Sequence, residues 1–496
     1  MSKTIRFTDL TIRDGQQSLA ATRMSTEQAL RVLPMIDKAG YQSMELWGGA
    51  TLDSSIRFLN EDPFSRLEKF RDTLGGPQKI QALLRGQNLF AYQPYPDDLV
   101  IAFIKQAIAS GIGIMRIFDA LNDFRNLQLP MLAVKAYGAK AELALSYTTS
   151  PIHTTEYFIS YAELLQEQGA DQIAIKDMSG ILYPTDCYNL IKGLKKNITV
   201  PLILHTHSTA GVSLLNCVIG MMLGVDSVDC AITPFAGGSS HTPVEVLIVF
   251  AEEMGLEHGL DKALILKIQR ELFKIFDELA KFIPYAGKFY KPVDYKDVNR
   301  KKVNQVINLL KKGGEENIEK ALPISREILK ELAYPNFDDE IFKSQIPGGM
   351  YTNLVNQLKE LGSPDPEILQ KTLAEVPSVR ADAGYVPLVT PTSQIIGSQA
   401  AFNVMFGERY SFVSNEFRMI MKGEFGKTPG PCNPEVVQKV LGNTDEPLKY
   451  RAASYLHPIL EDPLDLPYVK THKDRLLHHM LGNAADDFLK KKYGIA

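Results

Sequence analysis

From Arg6 to about residue 240 the chain alternates short runs of β-branched and other apolar residues with longer segments whose apolar positions recur at i, i+3 and i+4. The short runs fall at 6–11, 43–47, 80–84, 113–118, 142–147, 172–176, 201–205 and 227–232. Each is followed by enough chain for a helix and a return loop. That is the repeat of a (β/α)8 TIM barrel, an architecture of about 250 residues. A doubly wound sheet would call for a Gly-rich turn after the first strand, where the sequence reads Asp14-Gly15-Gln16-Gln17 instead. Local signals support the helices: Ser25 and Gln28 have capping-box spacing, and 157–168 keeps its apolar residues on one face.

Beyond the eighth run the alternation ends. Residues 261–280 read as one amphipathic helix, and Pro284, Gly287 and Pro292 then break regularity. The segments 301–312, 318–332, 352–361 and 366–373 look helical, with no strand alternation between them. The expected organisation is therefore a barrel over 1–285 and a mostly α-helical domain over 286–496 that completes the site. Two loops of the second domain stand out, one containing Pro347-Gly348-Gly349-Met350 and one reading Val389-Thr390-Pro391-Thr392-Ser393-Gln394.

Composition adds bounds. At 496 residues the chain exceeds a typical single core, and 45% hydrophobic with 23% charged residues is ordinary for a globular protein. The 54 basic and 58 acidic residues leave a net charge of -4 without a basic stripe, so nucleic acid is not an expected partner. Four widely spaced cysteines without a CxxC pair, and an N-terminus that enters the first strand with no apolar signal region, set cytoplasm as the expected location. The longest apolar stretch, 214–225, is too short for a span of about 20 residues and is expected to be a buried helix.

In a barrel of this type the active site lies at the C-terminal rim, and the chemically able residues of this chain fall there. Arg13, Asp14 and Gln17 follow strand one, and Trp47 and Asp53 follow strand two. Arg85 follows strand three, and Asp119 and Asn122 follow strand four. Lys176 ends strand six, while His205 and His207 end strand seven. Two imidazoles at i and i+2 share a strand face and can converge on one cation, to which Asp14 adds an oxygen. A lysine ammonium cannot ligate, so Lys176 would have to be neutral or carry a carbamate. Taken singly, the histidines are as well explained as satisfied rim residues, and Lys176 as a salt-bridge partner of Asp177. Arg13 and Arg85 beside a cation make a pocket for a carboxylate.

These motifs also carry a resemblance. Leu10-Thr11-Ile12-Arg13-Asp14-Gly15-Gln16-Gln17, Trp47-Gly48-Gly49-Ala50-Thr51-Leu52-Asp53, Leu84-Arg85-Gly86-Gln87-Asn88, Lys176-Asp177-Met178-Ser179-Gly180 and His205-Thr206-His207-Ser208 resemble the biotin-dependent carboxyltransferases that act on pyruvate and oxaloacetate. That family includes the pyruvate carboxylase carboxyltransferase domain, the oxaloacetate decarboxylase alpha subunit and the transcarboxylase metal subunit. The second-domain loops and Gly423-Glu424-Phe425-Gly426-Lys427 extend the likeness over most of the chain.

The resemblance implies a divalent metal on Asp14, N6-carboxylated Lys176, His205 and His207. Zinc is the first expectation for such a mixed N/O site, with cobalt and manganese as alternatives. It further implies pyruvate oriented by Arg85 and Gln17 and supported by Arg13, with Asp53 and Tyr92 nearby. Thr390 would move the proton between the pyruvate methyl group and biotin, and Ser393 and Gln394 would lie at the biotin. Expected partners are a separate biotinylated carrier, a biotin carboxylase subunit or membrane decarboxylase subunits, and a second copy of the chain.

Gly15-Gln16 stands where many relatives have Ala-His, and Gln394 where many have lysine, which removes a charge near the biotin. No biotinylation segment and no ATP-grasp phosphate loop occurs, so the biotin is expected on another protein or on a segment outside this sequence. The sequence leaves two rival readings open. One is an acyl-CoA aldol-type enzyme on the same barrel, such as isopropylmalate synthase or hydroxymethylglutaryl-CoA lyase; those usually show His-x-His-Asn-Asp and lack the lysine. The other is a non-catalytic scaffold subunit of a biotin complex.

Overall fold

The computed structural model describes residues 4–91, 93–284, 286–337, 366–389, 391–442 and 445–495. Eight parallel strands, β1 (Arg6–Asp9), β2 (Ser43–Trp47), β3 (Ile80–Leu84), β4 (Ile114–Ile117), β5 (Lys140–Ser146), β6 (Gln172–Asp177), β7 (Leu202–Thr206) and β8 (Ser227–Cys230), close into a barrel in chain order. β8 pairs with β1, aligning Phe7 with Val228 and Asp9 with Cys230. The expected TIM barrel is therefore present. Its first strand is shorter than the pattern suggested, because Thr11–Gly15 leaves the sheet as a π-helical turn. That turn carries Arg13 and Asp14 inward, which a continued strand would have placed on opposite faces.

Among the described residues, eight helices cover the barrel: α1 (Thr26–Lys38), α2 (Pro63–Leu74), α3 (Asp97–Ser110), α4 (Phe124–Ala136), α5 (Thr155–Glu167), α6 (Pro184–Asn197), α7 (Ser213–Leu223) and α8 (Val244–Glu253). The capping box of Ser25 and Gln28 forms, and Asp62 caps α2 with Pro63 at the first helical position. In β2 an irregularity between Glu45 and Trp47 separates their directions. Glu45 stays among the buried charges of the barrel, whereas Trp47 stacks on Phe103 of α3, 5.8 Å between ring centroids. α7 is the buried apolar helix expected from 214–225, and no helix among the described residues is long and apolar enough to cross a membrane.

The remainder of the chain is shared between two hydrophobic cores. α9 (Lys262–Glu278), α10 (Arg300–Lys312) and α11 (Glu315–Glu331) bury Ile268, Leu272, Val303, Val306, Ile328 and Leu329 in the same core as the barrel. Near the end, α16 (His472–Leu481) and α17 (Asn483–Lys492) return Leu476, Leu477 and Leu489 to that core. Between them, α12 (Pro366–Asp382), α13 (Thr392–Met405), α14 (Asn415–Lys422) and α15 (Pro434–Leu441) build a separate core around Val379, Ile396, Phe417 and Ile420. Helices after residue 285 thus contribute to both cores, because those with one apolar stripe on either side of this second core find their cover on the barrel. Leu121, from the loop after β4, joins the second core and fixes it beside the barrel mouth. The helix expected at 352–361 and the loop at 347–350 lie outside the described residues.

Candidate metal and substrate centre

Four side chains meet at the C-terminal rim. Asp14 comes from the turn after β1, His205 from β7, His207 from just beyond it, and His241 from the loop after β8. Their ligand atoms all lie within 4.8 Å of one another and all four residues are buried. Asp14 Oδ2 is 3.7 Å from His205 Nε2, 3.5 Å from His207 Nε2 and 3.0 Å from His241 Nε2. Lys176 Nζ sits 2.9 Å from His205 Nε2, at the same focus. Of the four expected ligands, Asp14, Lys176, His205 and His207, every one is brought to this place.

The ring orientations are set from behind. His205 Nδ1 lies 2.8 Å from Asp229 Oδ2, and we assign it the proton, so that Nε2 faces the focus with its lone pair. His207 Nδ1 donates to the carbonyl of Ser239 at 2.7 Å, which leaves its Nε2 free in the same sense. A set of imidazole nitrogens and one carboxylate oxygen converging in this way suits a divalent cation of the zinc type.

Beneath the focus runs a layer of buried charge. Arg116 pairs with Asp229 and Glu142, and its Nη1 is 3.8 Å from Glu45 Oε2. Arg13 Nε donates to Glu45 at 2.6 Å, its Nη2 is 3.1 Å from Asp14 Oδ2, and its Nη1 donates to Gln17 Oε1 at 3.1 Å. Arg13 is thereby committed to three protein partners, which makes it a support for Asp14 and Gln17.

The protonation states follow from these surroundings. Burial alone would raise the Asp14 carboxyl, but the Arg13 charge and the neighbouring imidazoles outweigh it and hold it well below the usual carboxylate range. Burial, together with the nearby Lys176, drives His205 well below the ordinary imidazole value and keeps it neutral. Burial also pushes Lys176 down to about 8. Asp177 is not its ion-pair partner: that carboxylate accepts from the Ile181 and Leu182 amides and the Thr206 hydroxyl, at 2.9, 3.1 and 2.9 Å. The Thr206 bond ties the end of β6 to that of β7, and the two amide bonds hold the loop that follows β6. The turn passes so close to β7 that a Cβ on Gly180, at φ +68°, would stand 2.8 Å from the His207 carbonyl oxygen.

The other expected residues divide. Arg85 follows β3, half-buried, with its guanidinium 5.6 Å from the Phe118 ring centroid, and Lys176 Nζ is 5.9 Å from the same ring. Gln17, half-buried, reaches the cluster through Arg13. Asp53 is a different case: its carboxylate accepts from Arg57 Nε at 2.6 Å and its side chain is 40% exposed, in contrast with the buried cluster. Asp119 caps the loop after β4, accepting from the Leu121 and Asp123 amides, and Asn122 exchanges hydrogen bonds with the Ser146 backbone to join β4 and β5.

On the second-domain side, Ser393 is buried at the start of α13 and Gln394 is exposed. Tyr92 and Thr390 lie outside the described residues. The segment before position 390 is anchored. Arg380 donates to the carbonyls of Val386 and Thr149 and to the Thr148 hydroxyl at 2.9, 2.8 and 2.9 Å, and Ser179 donates to the Leu388 carbonyl at 3.3 Å.

His241, Asp229, Arg116, Glu45 and Glu142 were not singled out from the sequence. For the last four the signal was present, a charged residue in the middle of an otherwise apolar barrel strand. For His241 the only signal was a histidine in the loop after the eighth strand.

A family model described as "Conserved carboxylase domain" matches residues 341–495, and one described as "HMGL-like" matches 128–272. The chain is 39% identical over 490 residues to a pyruvate carboxylase subunit of Methanocaldococcus jannaschii, covering 98% of this chain and 78% of that one. It is 37% identical to the 2-oxoglutarate carboxylase large subunit of Hydrogenobacter thermophilus, covering 92% of this chain and 63% of the relative. The carboxyl transferase domain of Rhizobium etli pyruvate carboxylase, solved with pyruvate and biocytin, superposes with a TM-score of 0.80 at 26% identity, over 100% of this chain and 78% of that one.

Proposed function

The chain belongs to the biotin-dependent carboxyltransferases, and from that premise we propose that it exchanges a carboxyl group between biotin on a separate carrier and the methyl carbon of pyruvate, with oxaloacetate as the carboxylated partner. The observation that carries this reading is the convergence of Asp14, His205 and His207 on Lys176, at the barrel rim that also bears Arg85. An aldol-type acyl-CoA enzyme has no use for a lysine at that focus.

In this reading a divalent metal, zinc first and cobalt or manganese otherwise, is held by Asp14, His205, His207 and an N6-carboxylated Lys176. When bound it supplies Lewis-acid polarisation of the 2-oxo group. Arg85 holds the substrate carboxylate and Gln17 the carbonyl side, while Arg13 keeps Asp14 and Gln17 in place. These fixed charges stabilise the negative charge that develops on the enolate oxygen as a methyl proton leaves. Thr390 passes that proton to the biotin ureido nitrogen as the carboxyl group departs from it, and the freed CO2 bonds to the enolate carbon. Ser393 and Gln394 border the biotin, and Asp53 and Tyr92 act as further substrate-binding residues. A biotin carboxylase subunit or membrane decarboxylase subunits would charge or drain the carrier, the chain acting as a homodimer in the cytoplasm.

The test is Thr390→Ala. Biotin-stimulated oxaloacetate decarboxylation by the purified protein is expected to fall at least about 100-fold, the lower range for loss of a proton-transfer group, with metal content unchanged. Retained biotin-dependent turnover in the variant would refute the assignment.

A further inference from the structure

His241 stands in the cluster without a place in the ligand set given above. Its backbone forms an isolated antiparallel bridge with His207, and the two rings lie 4.2 Å apart between centroids. Its Nδ1 is 3.2 Å from the Thr206 carbonyl oxygen, an atom that only accepts, so Nδ1 carries the proton. The neutral ring then presents a lone pair at Nε2. That nitrogen is buried and lies 3.0 Å from Asp14 Oδ2 without an aligned hydrogen bond to it. Two lone-pair atoms 3.0 Å apart in a buried pocket, beside two further imidazole nitrogens, are accounted for by a cation shared among them.

The spacing agrees. Ligands about 2.0–2.1 Å from a tetrahedral ion are about 3.3 Å from one another. The distances from Asp14 Oδ2 to the three Nε2 atoms, 3.0, 3.5 and 3.7 Å, bracket that value. All three imidazoles have Nδ1 beside a protein acceptor, Asp229, Ser239 or Thr206, so all three Nε2 atoms are oriented before any ion arrives.

We propose that His241 is a direct ligand, so that Asp14 and three imidazoles form a complete four-donor site and the cation binds without carboxylation of Lys176. The inference rests on the cation-dependent reading of this centre, but it concerns binding alone. A carbamate on Lys176 would then be an addition to an ion already held.

The experiment is Co(II) binding in CO2-free buffer, read by chelator competition and by the visible ligand-field bands, for wild type, His241→Gln and Lys176→Met. Glutamine can still donate to Asp14, so it preserves a mere hydrogen bond while removing the imidazole. The expected result is one cobalt in Lys176→Met with affinity within a few-fold of wild type. In His241→Gln, affinity falls by more than about 100-fold, beyond the range for loss of a supporting partner, with shifted bands. Wild-type affinity and bands in His241→Gln, or no cobalt in Lys176→Met, would overturn the proposal. If the metal-free melting temperature shows that His241→Gln is not folded, X-ray absorption of the cobalt-loaded wild type counts imidazoles: three support the proposal and two refute it. Failure here leaves wild-type biotin-dependent decarboxylation intact, whereas failure of the carboxyltransferase reading appears as a cobalt-loaded wild type without that activity.

Discussion

The two walls of the barrel mouth are held in opposite ways. On the β1, β7 and β8 side, the groups at the focus have partners behind them: Asp229 behind His205, the half-buried Ser239 carbonyl behind His207, and Glu45 behind the Arg13 that flanks Asp14. On the other side, the segments flanking position 390 belong to a separate hydrophobic core and meet the barrel through a handful of hydrogen bonds from Arg380 and Ser179. Buried charge held in ion pairs makes the first wall costly to rearrange. The second is an attachment, which on the proposed function would suit a wall that admits a tethered biotin and lets it go. On the proposed function, the small acid is held by barrel residues and the biotin is met from α13, which belongs to the second core.

That contrast predicts where damage is worst. Arg380→Lys keeps the charge but loses the fork that ties Val386 to Thr148 and Thr149. Because about 1 Å of misplacement costs on the order of 100-fold, biotin-dependent decarboxylation should drop by about that factor. Metal content should stay at wild-type level, as measured by elemental analysis beside steady-state kinetics. Equal loss of metal and activity would erase the distinction between the walls.

Asp229→Asn attacks the other wall through His205, because an amide nitrogen no longer fixes the Nδ1 proton. Metal affinity should fall about 10- to 100-fold, and activity should recover when metal is supplied in excess. Chelator titration reads the first effect and rescue kinetics the second.

The smallest expected effect is on stability. Burial, against a hydrogen bond from Thr11, raises the Asp9 carboxyl to about 7. A carboxyl raised in the folded state stabilises while protonated, and this contribution is lost as pH rises through the folded value. Between pH 6 and 8 the unfolding free energy should therefore decline by about 1 kcal/mol from this group, and Asp9→Asn should flatten the slope in urea titrations.

The barrel was legible because fully covered parallel strands write themselves as apolar runs; the runs at 43–47 and 80–84 coincide with strands to the residue. Asp14, Lys176, His205 and His207 were legible because strand ends fix where the rim is. The turn at Thr11–Gly15 was not, since its inward course depends on Glu45, 32 residues away from Arg13. His241 escaped for a related reason. A loop residue has no period, and contacts distant in sequence, its bridge to His207 and its bond to the Thr206 carbonyl, bring it to the focus. The division of 286–496 between two cores was equally hidden, because an amphipathic stripe announces that it will be covered and not by what.

The most direct test of the account is oxaloacetate decarboxylation by the purified wild-type protein, with and without free biotin, before chelation, after it, and after zinc is restored. The account predicts turnover that requires biotin, disappears with the metal and returns with it. Decarboxylation indifferent to biotin, or unchanged after the metal is stripped, would contradict it.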